Sequence, residues 1–171
     1  MHPFEHLLDV ARDSLRSHLE NTQPRRRART SPSKPVFVTL RTNNGNLRGC
    51  IGHLNTQHET IEDEIADCAL SAGLRDPRFP PIEREDLDNL QFEISILETP
   101  ELVRDLSELD PQIYGIIITR DVCRGVLLLV IFGVLIVDQQ LNITRQKAGI
   151  GPSESVRLER FKVLKIKAND R

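Results

Sequence analysis

The chain has 171 residues, 39% of them hydrophobic and 28% charged, and a net charge of -2. That balance fits one globular domain or two small joined halves, and it excludes a global pull toward nucleic acid or an anionic membrane. The three cysteines form no C-x-x-C pair, so they supply no disulfide framework and point to a reducing cytoplasm.

The opening, Met1-His2-Pro3-Phe4-Glu5, is no basic-then-apolar leader. Phe4, Leu7, Leu8, Ala11, Leu15 and Leu19 recur at helical spacing and predict an amphipathic helix over 4–20. Arg25-Arg26-Arg27-Ala28-Arg29 and the Ser/Pro-rich stretch to Pro35 read as a polar loop. Val36 to Arg41 and Leu47 to Gly52 then flank Asn44-Gly45, the strongest short-range hairpin signal. A two-residue turn there sets Arg41 opposite Arg48, Leu40 opposite Gly49, Thr39 opposite Cys50 and Val38 opposite Ile51. Alternation gives Val38, Leu40, Leu47 and Ile51 one face, and Arg41, Arg48, Thr39 and Cys50 the other. Opposed arginines repel, so an anion is expected between them. Gly49 and Gly52 permit close approach of another backbone or a ligand.

Ile61, Ile65, Ala69 and Ala72 mark a second helix over about 58–73, with Glu59, Glu62, Asp63 and Glu64 complementing its dipole. Arg75-Asp76-Pro77-Arg78-Phe79-Pro80-Pro81 must be a stiff loop. Gln91 to Leu97 alternates as a strand. The second half repeats the order: strand from Ile113 to Thr119, turn from Arg120 to Arg124, strand from Gly125 to Val130, helix near 138–148, strand near 158–167. The pairs Arg48-Gly49 and Arg124-Gly125 lie 76 positions apart, which suggests an internal duplication. The apolar run Gly125 to Val137 has 13 residues, short of the roughly 20 that cross a bilayer, and reads as a buried strand pair.

Cys50 is the sharpest chemical candidate. Arg48 is expected to be its nearest cation, and a nearby cation raises the thiolate fraction. The competing reading is a small buried hydrophobe. His53 pairs with Cys50 only if the chain bends at Gly52. Cys50, His53, His58 and Cys68 match no zinc spacing, so no metal is expected. Asp76 either neutralises Arg41 and Arg48 or clamps an arginine within its own Pro-rich turn. The arginines from 25 to 29 have no aromatic neighbours, and the chain has no Trp and one Tyr, so nucleic-acid binding ranks third among the functions. No P-loop, dinucleotide fingerprint or hydrolase elbow is present.

Leu47-Arg48-Gly49-Cys50-Ile51-Gly52, together with Leu74-Arg75-Asp76-Pro77-Arg78-Phe79-Pro80-Pro81, resembles the AMMECR domain family. Val36 to Leu40, Phe92 to Leu97, Gly125 to Leu129 and Arg145-Gln146-Lys147-Ala148-Gly149 agree with it. The resemblance implies an α+β fold of two related halves around a barrel-like sheet, and a cytoplasmic protein. It implies a functional role for the hexapeptide at 47–52, and Memo-like or radical-SAM proteins as associates. Members usually continue after Leu129 with a Pro-Gln pair and then a Trp. Here Val130-Ile131-Phe132-Gly133-Val134 and Val137-Asp138 stand in that stretch.

The resulting expectation is one domain over 1–171, with an N-terminal helix over 4–20 and approximate halves 36–97 and 113–167. Its class is α+β: two related hairpin-helix-strand halves forming one curved, barrel-like mixed sheet flanked by helices. Its expected function is a small-ligand or partner-binding module, with Arg48, Gly49, Gly52, His53, Arg75, Asp76, Arg78 and Phe79 at the binding face. The ligand is a small anion, the partner a Memo-like or radical-SAM protein; no cofactor, metal or membrane is expected. The alternative is an enzyme using Cys50 as a reactive thiol on an anionic substrate.

Overall fold

The computed structural model describes residues 4–25, 31–128 and 136–168. The chain divides into two compact units, residues 1–96 with 164–171 and residues 97–163. Arg26, Arg27 and Arg29, the segment 130–134 and most of the apolar run after Leu127 lie outside the described residues.

In the first unit, helix α1 (Glu5–Leu19) buries Leu7, Val10, Ala11 and Leu15 against helix α2 (Ile61–Leu74). Strand β1 (Val36–Thr42) lies between two antiparallel partners, β2 (Leu47–Gly52) and β3 (Leu90–Leu97). Val36, Val38 and Leu40 are buried at the inner face, where they meet Ile65, Cys68 and Ala69 of α2 and Ile94 of β3 in one apolar cluster. Helix α2 starts where Thr60 caps it: the Thr60 hydroxyl oxygen accepts from the Asp63 amide at 3.3 Å and donates to the Asp63 carboxylate at 2.8 Å. A 3-10 turn over Arg84–Asn89, which the sequence did not announce, feeds β3.

The second unit repeats this connectivity. Strand β5 (Tyr114–Arg120) lies between β6 (Cys123–Leu127) and β7 (Arg157–Lys167), both antiparallel to it. Helix α3 (Val137–Ala148) follows the β5–β6 hairpin and packs on it, as α2 packs on β1 and β2. A two-residue strand, β4 (Glu101–Leu102), pairs with β7. Ile116, Ile118, Leu127, Ile150 and Leu158 form the apolar cluster of this unit. Strand β7 runs on into the first unit, where Ile166 joins the first cluster. The class is therefore α+β, and the predicted elements agree with the observed ones to within a few residues. Of the apolar run, Gly125, Val126 and Leu127 are strand and Val137 opens α3, while the stretch 129–135 on which the expected strand pair depends lies outside the described residues.

The first hairpin departs from expectation at its tip. Its loop has three residues, Asn43-Asn44-Gly45, not two. The Gly45 amide donates to the Thr42 carbonyl at 2.8 Å, and the Thr42 amide donates to the Asn46 carbonyl at 2.9 Å. Only Gly45 needs positive φ (81°), because a type I turn leaves Asn43 and Asn44 in ordinary backbone regions. A bulge follows, so Arg41 pairs with Leu47 while Leu40 still pairs with Gly49, Thr39 with Cys50 and Val38 with Ile51. Arg48 is the extra residue. The expected Arg41–Arg48 opposition is thereby removed: Arg41 donates to the Gly45 carbonyl at 3.2 Å, and Arg48 turns toward the Pro81 carbonyl at 3.4 Å and the Asp86 carboxylate at 3.8 Å.

Candidate functional site

A buried carboxylate fastens the motif strand β2 to the loop after α2. Asp76, only 4% exposed, accepts from the Cys50 amide at 2.9 Å and from the Arg78 amide at 3.1 Å. Arg78 closes the arrangement with a two-pronged ion pair, Nε to Oδ1 at 3.0 Å and Nη2 to Oδ2 at 2.7 Å. Nη2 also donates to the Cys50 carbonyl at 3.3 Å. Local sequence explains the geometry. An Asp side chain reaches the backbone amide two residues on, and Pro77 between them presets the turn. The Arg78 guanidinium holds the Asp76 carboxyl well below the usual carboxylate range, with help from the Cys50 and Arg78 amides and against its burial. The carboxylate in turn raises Arg78 above its ordinary value.

Asp76 therefore serves Arg78 and the Cys50 amide, not Arg41 and Arg48. The clamp reading of Asp76 is the one realised. Nor is Arg48 the cation that reaches Cys50; Arg78 does so, through its main chain. Arg78 remains 54% exposed at its side chain, with its guanidinium carbon 5.5 Å from the centre of the Phe79 ring. Arg75 points elsewhere, to Asp67 at 2.9 Å and the Ser71 hydroxyl at 2.6 Å, both on α2.

Gly49 and Gly52 are small because protein occupies the space a side chain would need. A Cβ on Gly49 would land on the Ala72 carbonyl of α2, and one on Gly52 would meet the Val36 carbonyl and Phe37. Of the two approaches left open by the sequence, backbone rather than ligand is the one found at both positions. Gly125 repeats the device in the second unit, against the Thr144 carbonyl and Ala148 of α3.

Cys50 is half-buried, and its sulfur accepts from the Thr39 hydroxyl at 3.2 Å. A threonine hydroxyl cannot take a thiol proton at neutral pH, so Thr39 is not a general base for Cys50. His53 does not turn toward Cys50. Its Nδ1 lies 3.2 Å from Glu64 Oε1 and 3.7 Å from the Cys68 sulfur. Burial pushes the Cys68 thiol up to about 12, with the Glu64 and Asp67 charges adding to it. Sequence reasoning missed Glu64, taking it as a helix-dipole partner. The available signal was its spacing, three residues after Ile61 and four before Cys68, which sets it on the buried stripe of α2. His58 pairs with Asp67 at 3.4 Å, so the drawn set Cys50, His53, His58 and Cys68 does not converge.

The cysteine environments give an expected labelling order. Cys123 is exposed, Cys50 half-buried and Cys68 buried. A small alkylating reagent followed by peptide mass spectrometry should modify Cys123 first, Cys50 next and Cys68 last. Modification of Cys68 ahead of Cys50 would contradict this packing.

The AMMECR1 family pattern matches residues 8–166. A protein of Thermotoga maritima is 45% identical over 133 residues, covering 77% of this chain and 76% of its own length. A Clostridium acetobutylicum protein is 39% identical over 132 residues, again 77% of this chain but only 28% of that protein. A Methanosarcina acetivorans protein is 44% identical over 101 residues, 56% of this chain and 50% of that protein. The crystal structure of an uncharacterized protein from Pyrococcus horikoshii superposes with a TM-score of 0.83 at 26% identity, over 96% of this chain and 91% of that one. The fold, the motif strand and the Arg75–Pro81 loop thus define an α+β chain of the AMMECR kind. The chain belongs to the AMMECR1 family. No helix among the described residues is long and apolar enough to cross a membrane.

Proposed function

We propose that this chain is a non-catalytic binding module whose recognition face is built around Arg78, Phe79 and Cys50, and that it takes a small anion or the acidic end of a peptide. One observation carries the reading. Arg78 spends Nε and Nη2 on Asp76 and Cys50, and its Nη1 donors remain on a half-exposed guanidinium held rigid by those bonds. A pre-oriented guanidinium loses little side-chain entropy on meeting a carboxylate or phosphate, which is how a fixed arginine gains affinity. Phe79 beside it offers an apolar surface next to the charge. The Memo-like and radical-SAM proteins implied by the family resemblance are the partners of this proposal, and a shared ancestor of the two hairpin-helix-strand units is part of it. A cytoplasmic setting accords with three free thiols.

The test is an NMR titration of the chain with inorganic phosphate and with a short Glu-rich peptide. The amides of Cys50, Arg78 and Phe79 are expected to shift saturably, and Arg78→Lys, which keeps the charge but loses the fork, should weaken binding about tenfold. Shifts confined to the arginines from 25 to 29, unaffected by Arg78→Lys and abolished by moderate salt, would replace this reading with diffuse electrostatic binding.

A further inference from the structure

We propose that His53, Glu64 and Cys68 form a binding site for a divalent metal of the zinc type. The site rests on residues other than the Asp76–Arg78 clamp. His53 follows the end of β2, while Glu64 and Cys68 stand one turn apart on α2. One ligand atom from each, the His53 Nδ1, a Glu64 oxygen and the Cys68 sulfur, lies within 4.8 Å of the other two.

The two separations from His53 Nδ1 are those of a coordination shell. Around tetrahedral zinc, usual bond lengths put a nitrogen about 3.4 Å from an oxygen and about 3.6 Å from a sulfur. The structure has 3.2 Å and 3.7 Å for the same two separations. The donor set is one imidazole, one carboxylate and one thiol, which suits zinc or cobalt and not magnesium or calcium.

The surroundings prepare the carboxylate for this role. Glu64 is fully buried. Its Oε2 accepts from the Gln57 amide at 2.8 Å, the His58 amide at 3.0 Å and the Ser33 hydroxyl at 3.4 Å. That outer set holds Oε2 and leaves Oε1 facing His53, as outer-shell hydrogen bonds do for metal-bound carboxylates. Without a metal, a proton on Nδ1 serves the Glu64 carboxylate, and the Cys68 thiol reaches the Val36 carbonyl at 3.9 Å. A dication would bind Nδ1, the carboxylate oxygen and the sulfur at once. His53 is 33% exposed, so a metal has a way in, and three protein ligands leave a fourth position open to water or an anion.

The experiment is a Co²⁺ titration of the metal-stripped full chain carrying Cys123→Ser, followed by visible and near-ultraviolet absorption. One Co²⁺ per chain is expected, with the intense visible bands of four-coordinate cobalt and a thiolate-to-cobalt charge-transfer band. Cys68→Ser should abolish that band, Cys50→Ser should leave it intact, and His53→Gln should weaken binding at least about tenfold. Absence of stoichiometric binding, or a charge-transfer band that survives Cys68→Ser, would overturn the site. Because Cys68 is a core residue, a second readout guards against a folding defect. Zn²⁺ should raise the melting temperature of the parent and not of His53→Gln, since only a folded-state site stabilises by mass action. Equal effects of Zn²⁺ on both chains would also overturn it.

Discussion

An Asp76→Asn chain is expected to melt roughly 5–10 °C below its parent at neutral pH, a loss of about 2–3 kcal/mol for a chain of this size. Three donors converge on this one buried side chain: the Cys50 amide, the Arg78 amide and the Arg78 guanidinium. Asparagine keeps one acceptor oxygen but replaces the other with a donor, so a guanidinium N–H and an NH₂ group then face each other. The exposure of Arg78 keeps the loss below that of a fully buried pair, because water reaches the freed cation. The pH dependence has a definite sign. The folded state holds the Asp76 carboxyl below its unfolded value near 4, so its contribution is fully present above that value. As pH falls below about 4, the unfolded state takes up a proton that the folded state resists, and the contribution drains away. The gap between parent and Asp76→Asn should therefore be full at pH 7 and narrow progressively below pH 4. Thermal melts of both chains at pH 7, 4 and 3 check this. An equal gap at pH 3 and pH 7 would mean that the carboxylate charge is not what joins β2 to its loop.

The larger effect is expected at Gly49. A methyl group there collides with the Ala72 carbonyl, and neither atom is on a side chain that can rotate away. Relief requires β2 and α2 to separate, which also opens the cluster around Ile65, Cys68 and Ala69. Gly49→Ala should cost more than about 3 kcal/mol, at or beyond the upper end of overpacking penalties. Gly45→Ala supplies the contrast: nothing lies near its Cβ, and only the positive φ opposes the change, at about 1 kcal/mol. Urea unfolding of the two variants should rank them in that order, with Gly125→Ala resembling Gly49→Ala because it meets the Thr144 carbonyl of α3 in the same way. If Gly45→Ala proves the more damaging, backbone conformation outweighs the helix–strand contact at this hairpin.

These two positions also divide what was legible in the sequence from what was not. Asn-Gly chemistry and strict alternation announced the first hairpin, and every pair from Leu40–Gly49 inward stands as the pattern implied. The helices were legible from apolar spacing, and the Arg75–Pro81 segment from its prolines, because proline geometry and helical periodicity act within a few residues of chain. The motif hexapeptide and the Asp-Pro-Arg-Phe loop were recognisable as a pair through their resemblance to the AMMECR domain family. Hence the α+β class, the element order and the family follow from the chain's own residues. The choice of partner does not. One bulged residue sent Arg48 away from Cys50 and dissolved the expected arginine pair. Asp76 took Arg78 because the loop folds back on itself two residues on. Gly49 proved to be a seat for a helix carbonyl. His53 met Glu64 and Cys68 because α2 docks on β1 and β2 with its buried stripe facing the end of the motif strand. Alternation and periodicity specify which face of an element is apolar. They carry no information about which residue of another element a polar side chain will meet. That is set by the packing distance and rotation of α2 on its hairpin, and only the tertiary structure decides it.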